Sequence, residues 1–177
     1  MNFWVILIAH QVVWFCAVIG AGLGQVWPGV LATAAFAAWR LTATPRRDVE
    51  LKLVVTAFTL GLLLQIAWVD GGLVRYAAPW PLPVVPAWLM ALWVAFGLTI
   101  VPLFGFLHVR PLVAALFGAM GGPLAWLGAA RGWHAATLAQ PLWQTMLALA
   151  VGWAIAFPTL TSLARHWLRP PAPKPAA

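Results

Sequence analysis

Charge is scarce in this chain of 177 residues, which holds ten lysines and arginines and three carboxylates. Cysteine is scarcer still: Cys16 stands alone, so no intramolecular disulfide can form and the redox compartment is not readable. The single serine, Ser162, sits in no nucleophile elbow, and three scattered carboxylates offer no pair for general acid–base work. His10, His108, His134 and His166 fall at different expected depths, so no metal-ligand spacing is present and no cofactor or metal is implied. The basic residues form no continuous face and no recognition helix. The net charge of +7 therefore does not point to nucleic acid.

What fills the chain is apolar. Hydrophobic residues make up 64%, more than the interior of a soluble domain this size can hide from water. The long apolar runs read as membrane spans, and the length allows about six helices of ~20 residues with short connections. They are expected at 3–20, 27–41, 51–69, 83–107, 112–130 and 141–163. The expected fold is thus an all-α polytopic membrane bundle of about six transmembrane helices, a single domain over 1–168. Residues 169–177, rich in proline, are expected to form an extended, disordered cytoplasmic tail. The first run lacks a basic leader and carries His10 and Gln11 at its centre, so it reads as an uncleaved helix.

The few cations set an orientation. Arg40, Arg46, Arg47, Lys52, Arg110, Arg165, Arg169 and Lys174 fall on one side of the expected spans, and only Arg75 and Arg131 on the other. By the positive-inside rule both termini are expected in the cytoplasm, with the protein in a bacterial inner membrane. Local punctuation agrees. Thr44-Pro45 reads as a helix start with Thr44 as its cap, which places Asp48 and Glu50 where the helix dipole favours carboxylates. Pro102 and Pro158 fall inside spans and are expected to kink them. The run Gly20-Ala-Gly22-Leu-Gly24 reads as a turn between spans one and two, and Gly118-x-x-x-Gly122 permits close helix contact.

Polar groups at membrane depth are costly and mark either structural hydrogen bonds or a site. His10 and Gln11 lie mid-span, with Trp14 one turn on. Gln65, Trp68 and Gly72 recur at helical spacing, followed by Asp70, Arg75 and Tyr76. Asp70 is the only carboxylate not explained by a helix start, and Arg75 is close enough to pair with it. Of the thirteen tryptophans, Trp4, Trp39 and Trp167 read as a cytoplasmic belt, and Trp27, Trp80, Trp126, Trp133 and Trp143 gather towards the other face, with Trp68 and Trp88 deeper. The candidate pocket is accordingly His10, Gln11, Trp14, Gln65, Trp68, Asp70, Arg75, Tyr76, Trp88 and Trp126. Interhelical hydrogen bonding that holds the bundle together is the simpler reading of the same polar residues.

Four segments carry a resemblance. Gln11-Val-Val-Trp14-Phe15 with Gly20-Ala21, Gly61 to Tyr76, Pro86-Ala-Trp88 through Phe96, and Gly121-Gly122-Pro123-Leu124-Ala125 are together similar to a family of small bacterial inner-membrane proteins, the domain of unknown function 2878. The resemblance implies a compact bundle of about six helices, no established activity and an association with lipid metabolism or envelope stress. It also implies an aspartate in the place of Gln65 and a tyrosine in that of Trp126. This chain departs from that pattern at both positions, so proton chemistry does not carry over to Gln65. Small tryptophan-rich sensory proteins that bind porphyrins are similar in size, but their helix count differs.

The function expected from these readings is binding of a lipid or hydrophobic small molecule in an outward-facing pocket, as an accessory to lipid metabolism or envelope stress that serves a membrane or lipid-enzyme partner protein. Two alternatives remain open: a lipid-modifying membrane enzyme using Asp70 or His10 with an external cofactor, and a small oligomeric transporter.

Overall fold

The structure, a computed structural model, describes residues 2–82 and 84–169. The proline-rich tail beyond Arg169, with Lys174, and Pro83 at the expected start of the fourth span lie outside the described residues. Among those described, the chain forms α1 (Phe3–Gly22), α2 (Trp27–Ala43), α3 (Arg47–Asp70), β1 (Val74–Tyr76), α4 (Ala87–Gly97), α5 (Ile100–Leu103), α6 (Pro111–Trp133), β2 (Ala136–Leu138) and α7 (Leu142–Trp167). The protein is all-helical apart from the short ribbon. Helices α1, α3, α6 and α7 are each long and apolar enough to cross a membrane.

These helices are apolar all round, as lipid-solvated helices are. On α1 the residues Val5, Ile8, Val12, Phe15 and Ile19 are exposed at helical spacing, while Ile6, Val13, Ala17 and Ala21 are buried on the opposite face. The buried face is distinguished by size rather than polarity: small residues there let backbones approach. A Cβ on Gly61 would overlap the indole of Trp93, and a Cβ on Gly118 would overlap the carbonyl of Trp153. Those contacts join α3 to α4 and α6 to α7. Helix α1 packs on α2, α4, α5 and α6.

The expected fourth span is broken. Helix α4 stops at Gly97, and the chain resumes as the four-residue α5 and then a 3-10 turn at Gly105–Leu107. The cause is Pro102. It lacks the N–H that would bond to Leu98, and its ring collides with that carbonyl, so the helix ends just upstream. Thr99 secures the break by donating from Oγ1 to the carbonyl of Phe96 at 2.6 Å. Though only eleven residues long, α4 is the most enclosed helix, with Trp88, Leu89, Met90, Trp93 and Ala95 all buried.

The ribbon was not expected from the sequence. β1 pairs antiparallel with β2 in the register Val74 with Leu138, Arg75 with Thr137 and Tyr76 with Ala136. Strand alternation turns Val74 and Tyr76 inward and Arg75 outward. The ribbon ties the exit of α3 to the α6–α7 connection and caps one end of the bundle. The other end gathers the exposed Arg46, Arg47, Lys52, Arg110, Arg165 and Arg169, and Lys52 there lies 5.9 Å above the ring of Trp167.

Two local readings are corrected. Thr44 does not cap α3; it ends α2, and its hydroxyl donates to Glu50 Oε1 at 2.9 Å. Glu50 and Arg40 are not surface charges either. They form a buried ion pair, 0% and 4% exposed, in which Arg40 Nη2 donates to Glu50 Oε1. Arg40 sits inside the bundle because α2 turns it towards α3, where a carboxylate waits.

Candidate functional site

Between α1, α4, α6 and α7 lies a cavity of about 460 Å³, within the ~300–1,000 Å³ usual for sites that hold a small molecule. Its walls are built by residue type at each level. Helix α1 contributes His10, Gln11 and Trp14; α4 contributes Trp88, Trp93 and Phe96. Helix α6 presents Phe117, Gly121 and Trp126, and α7 presents Trp153 and Phe157. The indoles of Trp93 and Trp153 stack at 4.7 Å with 8° between planes, and Phe96 meets Trp153 edge-on at 5.2 Å. Rings of this size fix the shape of the cavity without needing a ligand, because they are themselves wedged into the helix contacts. Among the described residues no lysine, arginine or carboxylate lines it.

The cavity is shut at the ribbon end and open at the side. Trp14 and Phe15 both pack edge-on against Trp133, at 5.6 and 5.4 Å, where the last turn of α6 meets Gly22 of α1. Below that seam α1 and α6 share few contacts. Gln11, Phe117, Gly121 and Ala125 are exposed along the gap, so the opening faces laterally, towards where acyl chains would be, rather than outward through the capped end.

Of the ten residues expected to form a pocket, His10, Gln11, Trp14, Trp88 and Trp126 line this cavity. His10 meets the ring of Phe36 at 6.3 Å, and neither its nitrogens nor the amide of Gln11 has a hydrogen-bond partner among the described residues. Among the described residues neither side chain forms an interhelical hydrogen bond. Gln65, Trp68 and Tyr76 form a second layer behind the wall. The hydroxyl of Tyr76 donates to Gln65 Oε1, Tyr76 lies over Trp126 at 5.3 Å, and Trp68 meets Trp126 edge-on at 6.3 Å. Gln65 is fully buried, and its Nε2 has no partner among the described residues. Burial, with no opposing charge, pushes the Tyr76 hydroxyl above the ordinary phenol range.

Asp70 and Arg75 stand apart. Both are exposed, and among the described residues no ion pair joins them. The turn at Gly71-Gly72 reverses the chain, with Gly72 in the left-handed region at φ +69°, and strand alternation then aims Arg75 away from the core. Gly72 is likewise exposed instead of packing with Gln65. The wall supplied by α7 was missed in the sequence, although one signal was available: Trp93 and Trp153 lie mid-span, where an interfacial belt does not explain them.

An all-helical membrane protein with an uncharged, aromatic-walled cavity at its centre is the class that fold and site define. The chain belongs to a family described as protein of unknown function, DUF2878, whose model matches residues 3–159. No curated protein and no solved structure matches the chain.

Proposed function

We propose that the protein takes up a hydrophobic molecule from the bilayer into the central cavity and holds it there as a binding or accessory component of lipid metabolism. The observation that carries this reading is the lateral opening between α1 and α6 onto an uncharged cavity of ligand size. An acid–base enzyme is less well supported, since Asp70 lies outside the cavity and no carboxylate lines it among the described residues.

The accompanying topology is six crossings with both termini in the cytoplasm of a bacterium. Support comes from the gathering of exposed cations at the end opposite the ribbon. Helix α4 alone covers ~16 Å at 1.5 Å per residue, so its crossing would be completed by α5 and the 3-10 turn.

Native mass spectrometry of the protein released from membranes in mild detergent tests the binding reading. A hydrophobic species at up to one copy per chain is expected, and Ala125→Trp, which fills the exposed rim, should lose it. Identical bound species in both proteins would overturn the reading.

A further inference from the structure

One glycine on the rim is not explained by helix packing. Gly118 and Gly122 each admit Trp153, the first its carbonyl and the second its indole. Gly121, between them, would place a Cβ with nothing within 4 Å. Its φ is not positive either, since Gly24 and Gly72 are the glycines in that region. Glycine inside a helix is less favourable than alanine, and among the described residues Gly121 is the open glycine that also lines the cavity. Gly121 is exposed, lines the cavity, and sits along the α1–α6 gap with Gln11 and Phe117.

We propose that the occupant is an uncharged lipid carrying a planar unsaturated ring with a carbonyl or hydroxyl group, admitted sideways between α1 and α6 through a portal kept open by Gly121. This deepens the uptake reading above and rests on it.

Three observations carry the ligand class. The first is charge: no lysine, arginine, aspartate or glutamate lines the cavity among the described residues, so an ionic headgroup inside would lose its hydration with nothing in return. The second is depth. His10 lies ~10 Å along α1 from Phe3 at 1.5 Å per residue, at hydrocarbon level. A phospholipid head, held at the surface, does not reach it, whereas a neutral ring partitions to that depth by itself. His10 and Gln11 are adjacent and without hydrogen-bond partners among the described residues, so together they can donate to a carbonyl or accept from a hydroxyl. The third is the wall. A site for a saturated chain needs only aliphatic lining, but here Trp14, Trp88, Phe96, Phe117 and Trp126 line the cavity, while Trp93 and Trp153 close on each other and brace it. An aromatic lining of this kind favours a planar partner in offset or edge-on geometry over a flexible chain.

The test uses the full chain in nanodiscs of saturated phosphatidylcholine, reading tryptophan fluorescence. Two uncharged quenchers are titrated separately: a short-tailed benzoquinone and a dibrominated stearate methyl ester. The benzoquinone is expected to quench saturably, and Gly121→Leu is expected to remove the saturable part. His10→Leu should weaken binding about fivefold, the worth of roughly one hydrogen bond. Ala125→Leu, on the same rim, is the second portal variant and should act like Gly121→Leu, both being judged only in protein that elutes as a single species. If the ester saturates and the quinone does not, the ring assignment falls while uptake stands. Failure of both probes to saturate overturns uptake itself. Undiminished saturable quenching in both rim variants overturns the portal.

Discussion

Tyr76 and Gln65, eleven residues apart, are joined by a hydrogen bond from the tyrosine hydroxyl to the amide oxygen, and this bond fastens the ribbon to α3. Gln65 lies on α3 and Tyr76 on β1, with the Gly71-Gly72 turn between them. Because Tyr76 also lies on Trp126 and meets Trp88 edge-on at 6.2 Å, the bond holds the second layer of the cavity wall in place.

A double-mutant cycle tests that role. Tyr76→Phe strands a fully buried amide and is expected to destabilise the protein by about 1–3 kcal/mol. Gln65→Leu should also destabilise by stranding the hydroxyl. Combining Gln65→Leu with Tyr76→Phe should then cost clearly less than the two separate losses added together. Thermal unfolding in detergent measures all three. Strict additivity would mean that the two side chains do not interact.

Tyr76 is the chain's only tyrosine, so its ionisation can be read without ambiguity. Burial raises its pKa in the folded state, so the fold holds the phenol proton more tightly than the unfolded chain, whose value is about 10. The stabilisation is therefore complete below pH ~10 and declines as pH rises above it. Tyrosinate absorbance is expected to appear only together with loss of the fold. A titration near pH ~10 with helicity intact would contradict the burial of this group.

The buried Arg40–Glu50 pair gives an asymmetric expectation. Removing one member, as in Arg40→Leu, leaves a carboxylate in the α2–α3 contact and should destabilise by roughly 3–5 kcal/mol. The double variant Arg40→Leu/Glu50→Leu should recover much of that loss, because no uncompensated charge remains. Membrane accumulation and unfolding midpoints check both. A double variant as impaired as the single one would show that Thr44 and the remaining contacts of the pair dominate.

How much of this was legible beforehand depends on the scale of the signal. The apolar runs place α1, α2, α3, α6 and α7 within a few residues, because hydropathy averages over a whole span. The stop at Gly97 was not read, since Pro102 could equally have kinked a continuous helix; its effect depends on whether packing holds the far side. Strands of three residues beside Gly71-Gly72 carry too little periodicity to register. In the site, Trp14, Trp88 and Trp126 were visible as tryptophans near polar residues. Asp70 and Arg75 were grouped with them by sequence distance alone, which a reversing turn makes a poor guide to space. Arg40 and Glu50 each have an adequate local explanation in the sequence, which hides their pairing.

Orientation is tested with a reporter active only outside the cytoplasm. Fused after Ala78 or after Trp133, it is expected to be active; fused after Arg47 or at the C-terminus, silent. The ground is the gathering of exposed cations at the end opposite the ribbon. The reverse pattern would invert the proposed topology and place the ribbon in the cytoplasm.

Gly118, Gly121 and Gly122 on α6 should respond differently to the same substitution, because what lies opposite each is different. Gly118 faces the carbonyl of Trp153, and backbone cannot move aside as a side chain can. Gly118→Leu should therefore separate α6 from α7 and greatly reduce accumulation in the membrane. Gly122 faces the Trp153 indole, and Trp153 is held by its stack on Trp93, so Gly122→Leu should disturb the cavity wall and lower the unfolding midpoint. Gly121 faces open space, and leucine is the better helix former by up to ~1 kcal/mol. Gly121→Leu should accumulate normally and unfold no earlier than the parent. If Gly121→Leu is instead as damaging as Gly118→Leu, something occupies that space in the folded protein, either a neighbouring copy of the chain or a bound molecule needed for folding. Repeating the measurement on monomeric, delipidated protein separates those two cases: only the second predicts that the parent itself loses stability on delipidation.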